Sequence, residues 1–232
     1  MKAAIGKKII ILVLILAVPG FLYYLLTAKG KNRYKPLAIY GPKVVAKTGH
    51  KFHGKFIPDT IYHKLPAFNL TDQNGKPVSE ATFKGKIFVA GFFYTHCPAV
   101  CATINRNLGY LAETYMKNKM VYFASITVDP QHDATTVLKK YADSLKPASN
   151  RWLFLTGDTT SIYSLARKGF LVDALKAGND DYIYSDKLIL IDQDKRIRGY
   201  YSGANTNDIN RLTDEIKVLI AEELRKVDKA LY

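Results

Sequence analysis

Two short runs constrain this chain more than any other feature: the uninterrupted apolar residues 87–93 (IFVAGFF) and the largely apolar residues 120–128 (MVYFASITV). A strand with one wet face alternates apolar and polar residues, whereas a strand buried on both faces reads as a continuous apolar run. Both runs are too short for buried helices and rich in β-branched and aromatic residues. They are therefore expected as central strands of a sheet covered on both sides, with residues 152–155 (WLFL) as a third.

Helical signals lie between and after these runs. A helix is expected over 98–116, with Pro98 in its first turn. Asp133 is expected to cap a second helix, whose Val137, Leu138, Tyr141, Ala142 and Leu145 share one face. A short helix should end near Gly169, and a last one should start near Asn207 and bury Ile209, Leu212, Ile216, Leu219, Ile220 and Leu224. Asp72-Gln73-Asn74-Gly75 marks a hairpin over 68–78, and Asp192-Gln193-Asp194 joins strands at 187–191 and 197–201. The order is a hairpin, then β-α-β-α-β-α-β-β-α. That order predicts an α/β, thioredoxin-like fold over residues 61–229, a central mixed sheet with helices on both faces.

The N-terminal part reads differently. Residues 9–26 are eighteen uncharged, mostly apolar residues, which reaches the lower limit for a membrane-spanning helix. Lys7 and Lys8 precede them, and Lys29, Lys31 and Arg33 follow. A cleavable signal is disfavoured because Leu26 stands where a small residue is wanted, and no cysteine follows to carry a lipid. The expectation is a short basic tail at 1–8, a transmembrane anchor at 9–26 that meets membrane lipid, and a basic linker at 27–60. The basic end should face the cytosol, leaving the domain outside a bacterial inner membrane on a single pass.

The formal net charge of +14 does not indicate nucleic-acid binding. Residues 1–65 hold twelve Lys/Arg and one acid, Asp59, while the remainder is nearly balanced. The excess flanks the apolar segment, where it meets anionic headgroups. No nucleic-acid-binding motif accompanies it.

The chain contains only two cysteines, Cys97 and Cys101, in Thr95-His96-Cys97-Pro98-Ala99-Val100-Cys101. Two are too few for a disulfide-stapled scaffold, so their closeness points to a local site. Cys101 falls in the first turn of the expected helix and Cys97 just before it, four residues away, so the sulfurs can converge. The helix N-terminus favours thiolate. Two converging thiolates suit either a soft metal, Cu(I) above all, or a dithiol–disulfide couple. The competing possibility is an inert buried pair, which the strand-to-helix junction disfavours. The spacing also departs from the Cys-x-x-Cys of a generic thioredoxin.

Several motifs in register resemble the SCO/SenC family of thioredoxin-like copper proteins. They are Phe92 to Cys101, Thr127-Val128-Asp129-Pro130 with Asp133, residues 152–157, and Ile191-Asp192 with Ile197 to Gly203. The resemblance spans roughly 60–225. It implies assembly of a respiratory cytochrome c oxidase. Copper would be bound through Cys97, Cys101 and a histidine, and the partner would be the oxidase copper-site subunit or another thiol protein. Where the family histidine stands, this chain has Tyr184, and its histidines are His50, His53, His63, His96 and His132. A phenol is a harder donor that stays protonated, so Cu(I) is expected to be retained and Cu(II) to bind poorly at the sulfurs. His132, in the loop after the second buried strand, is the best-placed substitute, though a weak one. Asp129 is expected either to orient the cysteine loop or to serve a turn. The competing functions are copper delivery, thiol–disulfide reduction of a partner, and a binding module without chemistry.

Overall fold

The computed structural model describes residues 2–25, 36–97, 99–147, 149–178 and 182–230. The expected role of Pro98 in the first helical turn, the end of the apolar segment at Leu26 and the start of the linker therefore lie outside the described residues. The chain divides into two compact units, one up to Lys35 and one from Pro36 onward.

In the first unit, α1 (Lys2–Tyr24) carries Pro19 within it. Among the described residues no helix is long and apolar enough to cross a membrane. The uncharged part of α1, residues 9–24, is sixteen residues long. At 1.5 Å per residue it reaches about 24 Å, short of the roughly 30 Å of a bilayer core. Its side chains from Leu12 to Tyr24 are apolar, apart from the two tyrosine hydroxyls, and mostly exposed, with no polar face.

In the second unit, β1 (Lys43–Phe52) and β2 (Lys55–Tyr62) form an antiparallel ribbon within the expected basic linker. His53 and Gly54 both have positive φ, 47° and 77°, and close a two-residue hairpin between Phe52 and Lys55. Gly54 is thus a turn glycine rather than a linker glycine. The linker was expected because its basic residues mask the strand pattern.

The main sheet has seven strands in the order β11-β10-β5-β6-β7-β3-β4. Its members are β3 (Asn69–Asp72), β4 (Pro77–Ser79), β5 (Ile87–Phe93), β6 (Val121–Thr127), β7 (Trp152–Thr156), β10 (Lys187–Ile191) and β11 (Ile197–Ser202). Only the neighbours β5–β6 and β6–β7 are parallel. All seven residues of β5 are buried, as a central strand requires. Ile87, Val89 and Phe93 pack on one face with Ile104, Leu108 and Leu111 of α2 (Ala99–Thr114), Leu138 of α3 (Thr135–Leu145) and Leu212 of α5 (Thr206–Ala230). Phe88, Ala90 and Phe92 pack on the other with Ile162 of α4 (Thr159–Ser164) and Phe170 of the π-helical turn Leu165–Phe170 that continues it. The crossovers β5-α2-β6 and β6-α3-β7 step the same way across the sheet, so right-handed connections put α2 and α3 on one side. The return from β7 puts α4 on the other.

Two local expectations are corrected. Leu224 of α5 is half exposed, because the buried stripe of that helix runs through Ile216, Leu219 and Glu223 and leaves Leu224 at its edge. The N-cap of α3 is Ala134 with no side-chain cap, so Asp133 does not cap it. One element had no signal: the three-residue strands β8 (Ala174–Lys176) and β9 (Tyr182–Tyr184) pair into a separate hairpin.

Arg198 on β11 ties residues 37–38 to the main sheet. Its guanidinium is nearly fully buried and meets Asp192 at 3.2 Å and Glu222 at 2.7 Å. It also donates to the carbonyls of Leu37, at 2.7 Å, and Ala38, at 3.1 Å, while Leu37 N–H donates to Glu222 at 2.6 Å. Removing one partner of a buried ion pair strands the others without compensation. Arg198→Ala should therefore lower unfolding free energy by about 3–5 kcal/mol in urea titrations and expose residues 36–42 to proteolysis. A loss below about 1 kcal/mol, the scale of an exposed pair, would show that the network does not hold this segment.

Candidate functional site

The site forms beyond the carboxyl end of β5, between its parallel neighbour β6 and its antiparallel neighbour β10. An open sheet changes direction there, which leaves room for function. The chain leaves β5 at Phe93 and turns, with Cys97 N–H donating to the Tyr94 carbonyl at 3.3 Å. It then enters α2, which carries Cys101 in its first turn.

Cys97 and Cys101 are joined in a disulfide, with Cα atoms 5.9 Å apart. The expected convergence of the sulfurs is thus present. Cys101 is 2% exposed and Cys97 is half-buried. The hydroxyl of Tyr184, at the end of β9, lies 3.1 Å from the Cys97 sulfur and 2.9 Å from the Cys101 sulfur. Burial, with smaller contributions from Tyr94 and Asp186, pushes the Tyr184 phenol up to about 12. It is therefore protonated at neutral pH and acts as a donor. The β8–β9 hairpin is what delivers Tyr184, and its short strands gave the sequence reading nothing to find.

The loop before Cys97 is held by Asp133. This carboxylate is fully buried and accepts from Thr95 N–H at 3.1 Å, Thr95 hydroxyl at 2.5 Å and Thr127 hydroxyl at 2.5 Å. The Thr127 oxygen in turn accepts from Asp129 N–H at 3.0 Å. One buried anion thus ties the cysteine loop to the ends of β6 and α3. Thr95 and Thr127 were missed in the sequence reading. Their signal was positional: Thr127 ends β6 and Thr95 lies two residues past the end of β5, where Phe93 and Thr127 are paired in register.

His132 has its own partners. Its Nδ1 lies 3.1 Å from Asp133 Oδ1, and its ring packs edge-on to His96 with centroids 4.7 Å apart. His96 Nε2 lies 3.8 Å from Asp129 Oδ2. Tyr94 packs against both His96 and Tyr184, with centroids 4.8 and 5.7 Å away. Of the expected residues, Cys97, Cys101 and Tyr184 meet, while His96, Asp129 and His132 form a neighbouring group. His63 sits elsewhere, with Nε2 2.7 Å from the Gly169 carbonyl.

The sulfurs bond to each other, so metal binding requires prior reduction. Once reduced, the donor set is two thiolates under a protonated phenol. Such a set fits a soft monovalent ion and offers no nitrogen to a divalent one.

Known proteins share this arrangement of elements. The SCO1 protein homolog of Bacillus subtilis is 28% identical over 167 residues, covering 71% of this chain and 86% of its own. The solved structure of BsSco, a Sco-family cytochrome c oxidase assembly protein with a disulfide switch, matches with a TM-score of 0.61 and 27% identity. That match covers 67% of this chain and 92% of that one. The copper-bound structure of Bradyrhizobium japonicum ScoI matches with a TM-score of 0.54 and 29% identity, covering 63% and 97%. The SCO1/SenC family model matches residues 60–221, most of the second unit. With its mixed sheet and its cysteine pair at the head of α2, this chain belongs to the SCO1/SenC family.

Proposed function

We propose that this protein handles copper for assembly of a respiratory oxidase, taking up Cu(I) through the Cys97 and Cys101 thiolates. The observation that carries the reading is the meeting of both sulfurs at the mouth of the sheet in a member of a family with copper-bound structures. Cu(I) is content with two thiolates, and both arise from reduction of the one disulfide. The partner in this reading is the copper-site subunit of cytochrome c oxidase.

Tyr184 supports a second reading. A phenol O–H aimed at sulfur stabilises thiolate by a charge-assisted hydrogen bond. That favours thiol–disulfide exchange with cysteines of a partner protein. The two readings share the same dithiol and differ in what it receives.

The proposed location is a bacterial inner membrane, with the second unit outside the cytosol. The exposed apolar surface of α1 and its basic flanks support an anchor. In this reading residues 1–8 stay cytosolic, 9–26 span, and the thioredoxin-like domain covers 61–229.

Reduced, anaerobic full-length protein should take one Cu(I) from a competing chelator, and Cys97→Ser or Cys101→Ser should each weaken uptake at least tenfold. Absence of uptake, with turnover against a partner disulfide, would replace delivery by reductase activity. For Tyr184, reduced wild-type protein given Cu(II) should show no thiolate-to-copper charge-transfer absorption, whereas Tyr184→His should create it. A strong band in wild type that persists in Tyr184→Phe would refute the role assigned to the phenol. Finally, the chain should stay in the membrane pellet through alkaline carbonate extraction, and release into the supernatant would remove the anchor.

A further inference from the structure

We propose that His96, Asp129 and His132 form a second metal site, separate from the sulfurs, that takes a divalent transition ion, Cu(II) foremost. One ligand atom from each residue lies within 4.8 Å of the others. Within the group, His96 Nε2 and Asp129 Oδ2 are 3.8 Å apart, too far for a hydrogen bond. Donors each about 2.0–2.1 Å from one ion stand at most about 4.2 Å apart, so this pair already spans an ion. The widest pair must close by less than about 1 Å, by the same ligand distances. Side-chain rotation can supply that closure, since the His96 and His132 side chains are 37% and 58% exposed.

The surroundings prepare these donors. Asp129 is nearly buried, its N–H is bound to Thr127, and its Oδ1 accepts from His132 N–H at 3.4 Å. Oδ2 is the oxygen left facing His96. His132 turns Nδ1 to Asp133, and a proton held there leaves Nε2 with its lone pair for a metal. A carboxylate behind a metal-binding imidazole is the usual outer partner that fixes its tautomer and orientation. Asp133 is itself held by Thr95 and Thr127, so the imidazole's support is rigid. The rings of Tyr94 and Tyr182 wall His96 on another side, with centroids 4.8 and 6.5 Å away.

Two imidazoles and one carboxylate are borderline donors. They are unsuited to Cu(I), which prefers sulfur, and too nitrogen-rich for Mg²⁺ or Ca²⁺. Among divalent ions such a set binds Cu(II) most tightly. The site shares no residue with the dithiol, although His96 precedes Cys97 directly. It would supply on a neighbouring loop the nitrogen donors that Cys97, Cys101 and Tyr184 do not offer.

The test uses the full chain in detergent with its disulfide intact, so that no thiolate can bind. Titration with Cu(II) near neutral pH should load one ion per chain and give an electron paramagnetic resonance spectrum with nitrogen hyperfine structure from imidazole. His96→Ala and His132→Ala should each weaken binding at least tenfold, and Asp129→Asn should also weaken it. Failure to bind one ion tightly would overturn the site. So would a spectrum unchanged by the combined His96→Ala and His132→Ala substitutions, which would place the copper on His50 or His53 of the ribbon. Cu(I) uptake by the reduced thiols is a separate measurement, and neither result decides the other.

Discussion

The buried carboxylate of Asp133 is the interaction on which the site depends. It accepts from the backbone and hydroxyl of Thr95 and from the hydroxyl of Thr127, which ties the loop after β5 to the end of β6. An anion in an apolar interior persists only where donors surround it, and hydrogen bonds to charged groups are the strong ones. The same carboxylate receives the His132 ring, so one group organises the approach to the cysteines and the histidine side of the site. Without this latch, the loop from Tyr94 to Cys97 would lose the contacts that fix its path into α2.

Tyr184 gives the sulfurs a different neighbour from the imidazole that the family resemblance implies. Imidazole offers a lone pair, whereas a phenol pushed up to about 12 by burial offers a proton. The difference changes what the dithiol can hold rather than whether it can form. The nitrogen donors near this end of the sheet lie instead on His96 and His132, beside Asp129.

Much of this fold was legible because burial on both faces leaves an unmistakable mark on strands β5, β6 and β7. The convergence of Cys97 and Cys101 was legible too, since four-residue spacing at a helix start leaves few alternatives. What escaped was structure with little periodicity. The β8–β9 hairpin has three-residue strands, too short for an alternation to register, yet it carries Tyr184 to the sulfurs. The β1–β2 ribbon hid behind its basic residues, and its exposed Val44, Val45, Phe56 and Ile61 line no core. Asp133 was misread because an acid before a helix is usually a cap. Here the pull of two threonine hydroxyls outweighed the orphan N–H groups of α3.

Burial gives the two cysteines unequal surroundings. Cys101 is 2% exposed beneath the loop, while Cys97 retains access to solvent. A molecule approaching from solvent therefore meets Cys97 first, with Cys101 behind it. Tyr184, with a single proton to share between them, can favour just one thiolate at a time. The couple is therefore built with a front and a back, and the phenol stands over both.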